Sequence, residues 1–150
     1  MATQKKAIAV TGTPGAGKTY FAKQLCSSHP EYEYLDLNAY LKEKELYEQY
    51  DDKDETFIVD EKRLTEIVRP LIEHSQKTVV IDSHLSHYID PALISLCYVV
   101  RCPLAALHDR LKQRSYSEKK IRDNLDSEIF QICLNEADEM GHTIESIESC

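Results

Sequence analysis

The 150 residues (17.3 kDa) are 42% hydrophobic and 29% charged, with a net charge of −8: one soluble globular domain, long enough to bury a core without disulfide or metal staples. Mean hydropathy is −0.45, the longest apolar runs (78–81 and 96–100) are too short to span a bilayer, and the N-terminus lacks the apolar stretch of a signal peptide. Five cysteines without a CxxC spacing argue against a disulfide framework or zinc ribbon and for a reducing compartment, while the acidic balance argues against a whole-surface nucleic-acid binder.

In chain order, residues 7–11 (AIAVT) are a short β-branched run ending at Gly12, which predicts a buried strand. Residues 18–28 place Phe21, Ala22, Leu25 and Cys26 at helical spacing, and His29-Pro30 ends that helix. A second strand is predicted at 34–37 and a helix at 39–46. The acidic, polar stretch 47–56 has no apolar period and reads as loop, with 57–59 extended. Residues 61–74 form a helix with Leu64, Ile67, Val68 and Leu71 on one face, and Pro70 predicts a kink inside it. A third strand follows at 78–82, a helical turn at 91–94 and a fourth strand at 96–101. Helices at 104–111 and 118–139 are joined near 114–117. Gly141 is predicted to cap the last helix, and 142–147 alternates as a fifth strand. Strands alternating with helices imply an α/β fold, a parallel sheet covered on both faces, which binds ligands beyond the carboxyl ends of its strands.

Gly12-Thr13-Pro14-Gly15-Ala16-Gly17-Lys18-Thr19 matches G-x-x-x-x-G-K-[ST] in full, between a predicted strand and a predicted helix. Glycines let the backbone approach phosphate oxygens closely. Successive N–H groups form an anion nest, and the helix N-terminus adds partial positive charge. Lys18 is expected to bridge the β- and γ-phosphates of a nucleotide, and the Thr19 hydroxyl to ligate Mg²⁺. The strand Val79-Val80-Ile81 ends in Asp82, where a carboxylate can hold Mg²⁺ through water beside such a loop. His84, two residues on, is a candidate to orient a water or bond a γ-phosphate oxygen; a loop histidine bonded to backbone is the alternative.

Charge is unevenly distributed. Residues 101–122 carry a net +5, against −5 before and −8 after, so a local anion site lies within an acidic chain. Arg110, Lys112, Arg114, Lys119, Lys120 and Arg122 cluster at the break between two predicted helices. Arginines on a closing flap neutralise the charge that spreads over a transferred phosphoryl group. Arg114 lies nearest the break and is the first choice; a helix with paired surface charges is the alternative for Lys119, Lys120 and Arg122.

The loop GTPGAGKT, the insert containing ELYEQYDD, VDEKRL, DSH and RLKQRSYSEKKIRDNLDSEI together resemble the adenylate kinase isoenzyme 6 family. Its eukaryotic members are the coilin-interacting nuclear ATPases; it also has archaeal members, which DSHLSHYI resembles more. The resemblance runs from about Ala7 to about Met140. It implies a single P-loop nucleoside-monophosphate-kinase domain over 1–150, with a five-stranded parallel sheet and helices on both faces. A monophosphate-binding insert is expected at about 36–59 and a short lid at about 113–123. It implies Mg-ATP as donor and AMP or dAMP as acceptor, ATPase activity, and a role in small ribosomal subunit maturation through a ribosomal protein. It implies no sequence-specific nucleic acid, no membrane, and a cytoplasmic location (nuclear in a eukaryotic source).

Carried over by position, Gly12, Gly15, Ala16, Gly17, Lys18, Thr19, Tyr20 and Arg114 would bind ATP. Thr19 and Asp82 would hold the metal. Lys18, Asp82, His84 and Arg114 would be catalytic, and Asn38, Lys42 and Asp60 would bind AMP. Three departures carry expectations. Ser115 replaces a family glycine between Arg114 and Tyr116 and predicts a stiffer lid. Lys42 stands where some members place arginine and cannot form a bidentate fork. The sequence ends at Cys150 where relatives continue into a last helix, which implies a short natural form or looser adenine binding. Two further readings stand beside adenylate kinase: an ATP-hydrolysing assembly factor whose AMP kinase activity is incidental, and a P-loop kinase for another small molecule. A GTPase is disfavoured because no [NT]-K-x-D motif occurs.

Overall fold

In the computed structural model, residues 5–51 and 56–148 are described. Strand β1 (Ala7–Thr11) is buried along its whole length, as an apolar run covered on both faces must be. It lies at the centre of a five-stranded parallel sheet of order β2-β5-β1-β6-β7, where β2 is Tyr32–Asp36, β5 Thr78–Asp82, β6 Ile94–Arg101 and β7 Ile144–Glu148. The edge strands β2 and β7 are only half-buried.

Helices cover both faces. On one face, α2 (Leu37–Glu43) and α3 (Glu61–His74) present Leu37, Leu41, Leu64, Val68 and Ile72 to the sheet. Leu64, Val68 and Ile72 are spaced by four, so one stripe of α3 is buried. On the other face, Ala22 of α1 (Lys18–Ser28) and Leu107 and Leu111 of α4 (Leu104–Gln113) pack on Ile8, Val10, Val80 and Val100. Chain order returns β1 to the edge through α1 and β2, then brings β5 back beside β1. The ends of β1, β2 and β5 are thereby adjacent, with Val10 and Asp36 both in register with Asp82.

Three expectations are corrected. The stretch 47–56 is not all loop: β3 (Gln49–Asp51) pairs antiparallel with β4 (Thr56–Ile58), and Glu48 N–H donates to the Ile58 carbonyl at 2.7 Å. Strands of three residues are too short to carry a period; residues 52–55 of that stretch, and Cys150, lie outside the described residues. The helix expected over 118–139 is two, α5 (Glu118–Ile129) and α6 (Ile132–Met140), with Gln131 at φ 54° between them. The cause is tertiary. Ile121 and Leu125 pack on the α1/α4 face, whereas Cys133 and Ala137 pack on the α2/α3 face. The chain must turn beyond the carboxyl end of β6, where Glu128 accepts from Arg101 Nε and Cys102 N–H, to cross from one core to the other. Finally, β2 begins at Tyr32 and α2 at Leu37, two residues earlier than expected in each case, because the Asp36 carboxylate accepts from Ala39 N–H at 3.0 Å and caps the helix.

Two other features agree with the sequence reading. Gly141 caps α6 at φ 92°, and β7 supplies the fifth parallel strand. Helix α3 continues through Pro70. Among the described residues, Cys26, Cys97, Cys102 and Cys133 form no disulfide. Among the described residues no helix is long and apolar enough to cross a membrane.

Candidate active site

The loop after β1 is shaped by two glycines. A Cβ at Gly12 would stand 2.6 Å from the Val100 carbonyl oxygen, so only glycine lets β1 leave the sheet this close to β6. Gly17 caps α1 in the left-handed region at φ 100°. Between them Ala16 is buried in the core, and its N–H donates to the Thr13 carbonyl at 2.9 Å. Arg110 on α4 donates to the Gly15 carbonyl at 3.2 Å and ties the loop to that helix.

Thr19, at the start of α1, donates its hydroxyl proton to Asp82 Oδ2 at 2.7 Å, and Tyr34 donates to the same oxygen at 2.7 Å. Burial, then the hydrogen bond to Asp82, pushes the Tyr34 phenol above its ordinary pKa, so it remains a donor. Asp82 Oδ1 is buried and has no hydrogen-bond partner among the described residues. A buried carboxylate oxygen left open beside a threonine hydroxyl fits a hard cation with oxygen ligands. These two residues, with water or phosphate oxygens, suit Mg²⁺.

Lys18 is half-buried. Burial lowers its pKa, Arg114 adds to the effect, and Asp82 opposes it. Next to it, Asn38 accepts from Ser83 Oγ at 2.6 Å and presents its amide nitrogen 3.3 Å from His84 Nδ1. That amide donates to Nδ1, which leaves the imidazole proton on Nε2. Burial, reinforced by the positive charge of Lys18, lowers the His84 pKa to about 4, so the ring is neutral at physiological pH.

Three cavities meet at these residues. The first, about 480 Å³, lies between the loop after β5 and helices α5 and α6, with His84, Tyr88, Tyr116, Asn124 and Glu136 in its wall. The second, about 600 Å³, runs over the glycine loop, with Gly15, Thr19, Tyr20, Arg110 and Gln113. The third, about 260 Å³, lies at the carboxyl ends of β2 and β5, with Asp36, Asn38, Lys42 and Asp82. Among the described residues, Lys18 and Arg114 are the two that line all three. Arg114 caps the C-terminus of α4, and Ser115 follows at φ 59°. Tyr116 then receives a hydrogen bond from Arg114 at 3.4 Å, and its ring centroid lies 4.0 Å from Lys120 Nζ.

The structure thus brings Gly15, Gly17, Lys18, Thr19, Tyr20, Asn38, Lys42, Asp82, His84 and Arg114 around connected cavities. Tyr20 is 70% exposed and bonded to Gln24 on the outer side. Gly12 and Ala16 shape the loop from beneath. Asp60 stands apart: its carboxylate caps α3 by accepting from Lys62 N–H at 3.0 Å, and it lines none of the three cavities. Sequence reasoning missed Tyr34, which the β2–β5 register places opposite Val80, one same-face step from Asp82. It also missed Glu136, which lies on α6 and lines the first cavity.

Comparison with known proteins is consistent across most of the chain. A family model described as an AAA domain matches residues 8–131. The adenylate kinase isoenzyme 6 homologue of Drosophila melanogaster is 38% identical over 133 residues, 89% of this chain and 74% of that protein. The homologue of that name from Saccharomyces cerevisiae is 35% identical over 144 residues, 95% and 72% of the two chains. A relative from the archaeon Methanocaldococcus jannaschii is 34% identical over 87% of this chain and 71% of its own. Among solved structures, the Thermus thermophilus protein TT1252 shares the fold, with a TM-score of 0.52, 19% identity, and coverage of 98% and 90%.

Proposed function

The chain belongs to the adenylate kinase isoenzyme 6 family, and from that premise we propose that it transfers the γ-phosphoryl group of ATP to AMP, or to dAMP, giving two nucleoside diphosphates. The observation that carries this reading is the sharing of Lys18 and Arg114 by two nucleotide-sized cavities and the small one between them. A nucleotide hydrolase needs one such cavity; a transferase needs two that converge on one phosphoryl group.

Donor ATP occupies the cavity over the glycine loop. Gly15, Gly17 and the N-terminus of α1 hold its phosphates, and Tyr20, Arg110 and Gln113 lie beside the nucleoside. AMP occupies the cavity against α5 and α6, and its phosphate enters the small cavity near Asn38 and Lys42. An AMP phosphate oxygen attacks the γ-phosphorus in line as the bond to the β–γ bridging oxygen breaks, and the electron pair stays on ADP. The nucleophile is already anionic, so no general base is required. Lys18 and Arg114 neutralise charge on the equatorial oxygens. His84 donates Nε2–H to a phosphate oxygen. Thr19 and Asp82 would hold Mg²⁺, which would supply further neutralisation of phosphate charge. The ribbon β3–β4 with α2 serves as the monophosphate-binding insert, and residues 113–123 as the lid of a single domain.

Slow ATP hydrolysis follows when water takes the place of AMP, with His84 orienting it. A second reading rests on the surface of α5 and α6. Ile129 and Phe130 are 51% and 66% exposed within a segment of net charge −8 (residues 123–150). That combination suits a basic protein, in keeping with a role in small ribosomal subunit maturation through a ribosomal protein and with a cytoplasmic or nuclear location. An assay of products from Mg-ATP, with and without AMP and with Lys18→Ala as blank, separates the readings. Two ADP per AMP consumed, formed only when AMP is present, supports the kinase. ADP plus free phosphate independent of AMP supports an ATPase serving a partner.

A further inference from the structure

The larger acceptor-side cavity contains a carboxylate whose position is fixed more firmly than packing requires. Glu136, in the middle of α6, is 32% exposed and lines that cavity. Tyr88 donates to its Oε2 at 2.5 Å, and His87 Nε2 lies 3.3 Å from its Oε1. His87 is itself buried and locked: its Nδ1 lies 2.6 Å from the Thr11 hydroxyl, and its carbonyl accepts from His142 Nε2 at 2.9 Å. Burial outweighs the nearby carboxylate and lowers the His87 pKa. The neutral ring therefore accepts from Thr11 and donates to Glu136. This chain of bonds runs from the end of β1, beside the glycine loop, through the loop after β5 to α6. Each carboxylate oxygen uses one lone pair on these donors and keeps another. A side chain held by two donors and partly open to a cavity is a pre-set hydrogen-bond acceptor.

We propose that Glu136 selects the acceptor base by accepting a hydrogen bond from its exocyclic amino group, with Tyr88 and His87 as positioning residues that hold the carboxylate. The ligand class is a nucleoside monophosphate whose base carries an amine at its pairing edge. A keto group there, as in hypoxanthine, directs a lone pair at the carboxylate, so the oxygen facing it gains no donor beyond those supplied by Tyr88 and His87. Sites built to hydrogen-bond one group reject the analogue lacking it by large factors, because their own polar atoms are left without partners. The inference rests on the assignment of this cavity to the acceptor.

The test is initial rates of phosphoryl transfer from Mg-ATP to AMP and to IMP for the wild-type chain, Glu136→Gln and Tyr88→Phe. Glutamine presents a donor as well as an acceptor and removes the discrimination. The wild type is expected to favour AMP over IMP by roughly 10²-fold or more in kcat/KM. Glu136→Gln lowers that ratio at least about tenfold, chiefly by raising the KM for AMP, with kcat and the KM for ATP little changed. Tyr88→Phe moves the ratio the same way by a smaller factor, and it decides the matter should Glu136→Gln fold poorly. An AMP:IMP ratio unchanged in a folded variant overturns the assignment of Glu136. Transfer to neither monophosphate by the wild type overturns the acceptor reading itself, and this assignment with it.

Discussion

The two sides of the site are built in different ways. The side we assign to the donor is contiguous: eight residues from Gly12 to Thr19 form the loop and the first turn of α1, and few distant side chains are needed beyond Arg110 and Arg114. The side we assign to the acceptor is assembled from four separated segments, contributing Asn38, His84 with Tyr88, Tyr116 with Lys120, and Glu136. Phosphate recognition needs backbone N–H groups and one lysine, which a local sequence can supply. Base recognition needs side chains placed to within fractions of an ångström, which only tertiary packing can supply. A change in the donor loop should therefore abolish chemistry, whereas a change on the acceptor side should redirect or weaken it.

Lys18→Ala is the largest expected effect. Transfer and hydrolysis should both fall by about 10⁴-fold or more, because one side chain serves all three cavities. Circular dichroism and thermal unfolding should remain close to wild type. Near-normal turnover would remove the glycine loop from the mechanism. Arg114→Ala follows, with kcat for transfer down by about 10³-fold and ATP affinity changed by less than about tenfold. Equal losses in binding and rate would make Arg114 a binding residue only, and the comparison of the two sides would lose its shared pivot.

The acceptor side also leaves a mark on stability. In the folded chain burial lowers the His87 pKa below its ordinary value of 6.5. The unfolded chain thus binds the extra proton first, and stability falls as pH drops below about 6.5. Urea unfolding from pH 7.5 to 5 measures the slope, and His87→Gln should flatten it. A slope unchanged in that variant would show that His87 is not held neutral. Gln131→Gly is the smallest effect. Gln131 sits at φ 54°, where a non-glycine residue costs roughly 1–2 kcal/mol, partly offset by glycine's greater freedom when unfolded. A gain of about 0.5–1 kcal/mol is expected in denaturant unfolding, with transfer unaltered. A loss of stability would mean that the Gln131 side chain contributes a contact of its own.

The same contrast explains what could be read before folding. Thr78–Asp82 was readable as a buried strand because every residue obeys one local rule, and Gly12 to Thr19 because its spacing is dictated by phosphate geometry. Asp82 beside Thr19 followed from those two. The split between α5 and α6 was not readable: the apolar residues keep a helical period through 118–139, and only the location of two separate cores on opposite faces forces the turn at Gln131. Tyr34 needed the register of β2 on β5. Asp60, placed with the acceptor by resemblance, caps α3, as its position before that helix favours. Ser115, where the resemblance expects a family glycine, adopts φ 59°, a conformation in which glycine is at ease.

The central claim is that two nucleotides bind at once and meet at Lys18 and Arg114. Calorimetric titration with a single molecule in which two adenosines are joined by five phosphates, in the presence of Mg²⁺, tests it directly. Binding of one molecule per chain, tighter than ATP by about 10²-fold or more and competitive with both ATP and AMP, is the predicted result. An affinity no better than that of ATP, or two molecules bound per chain, would contradict it.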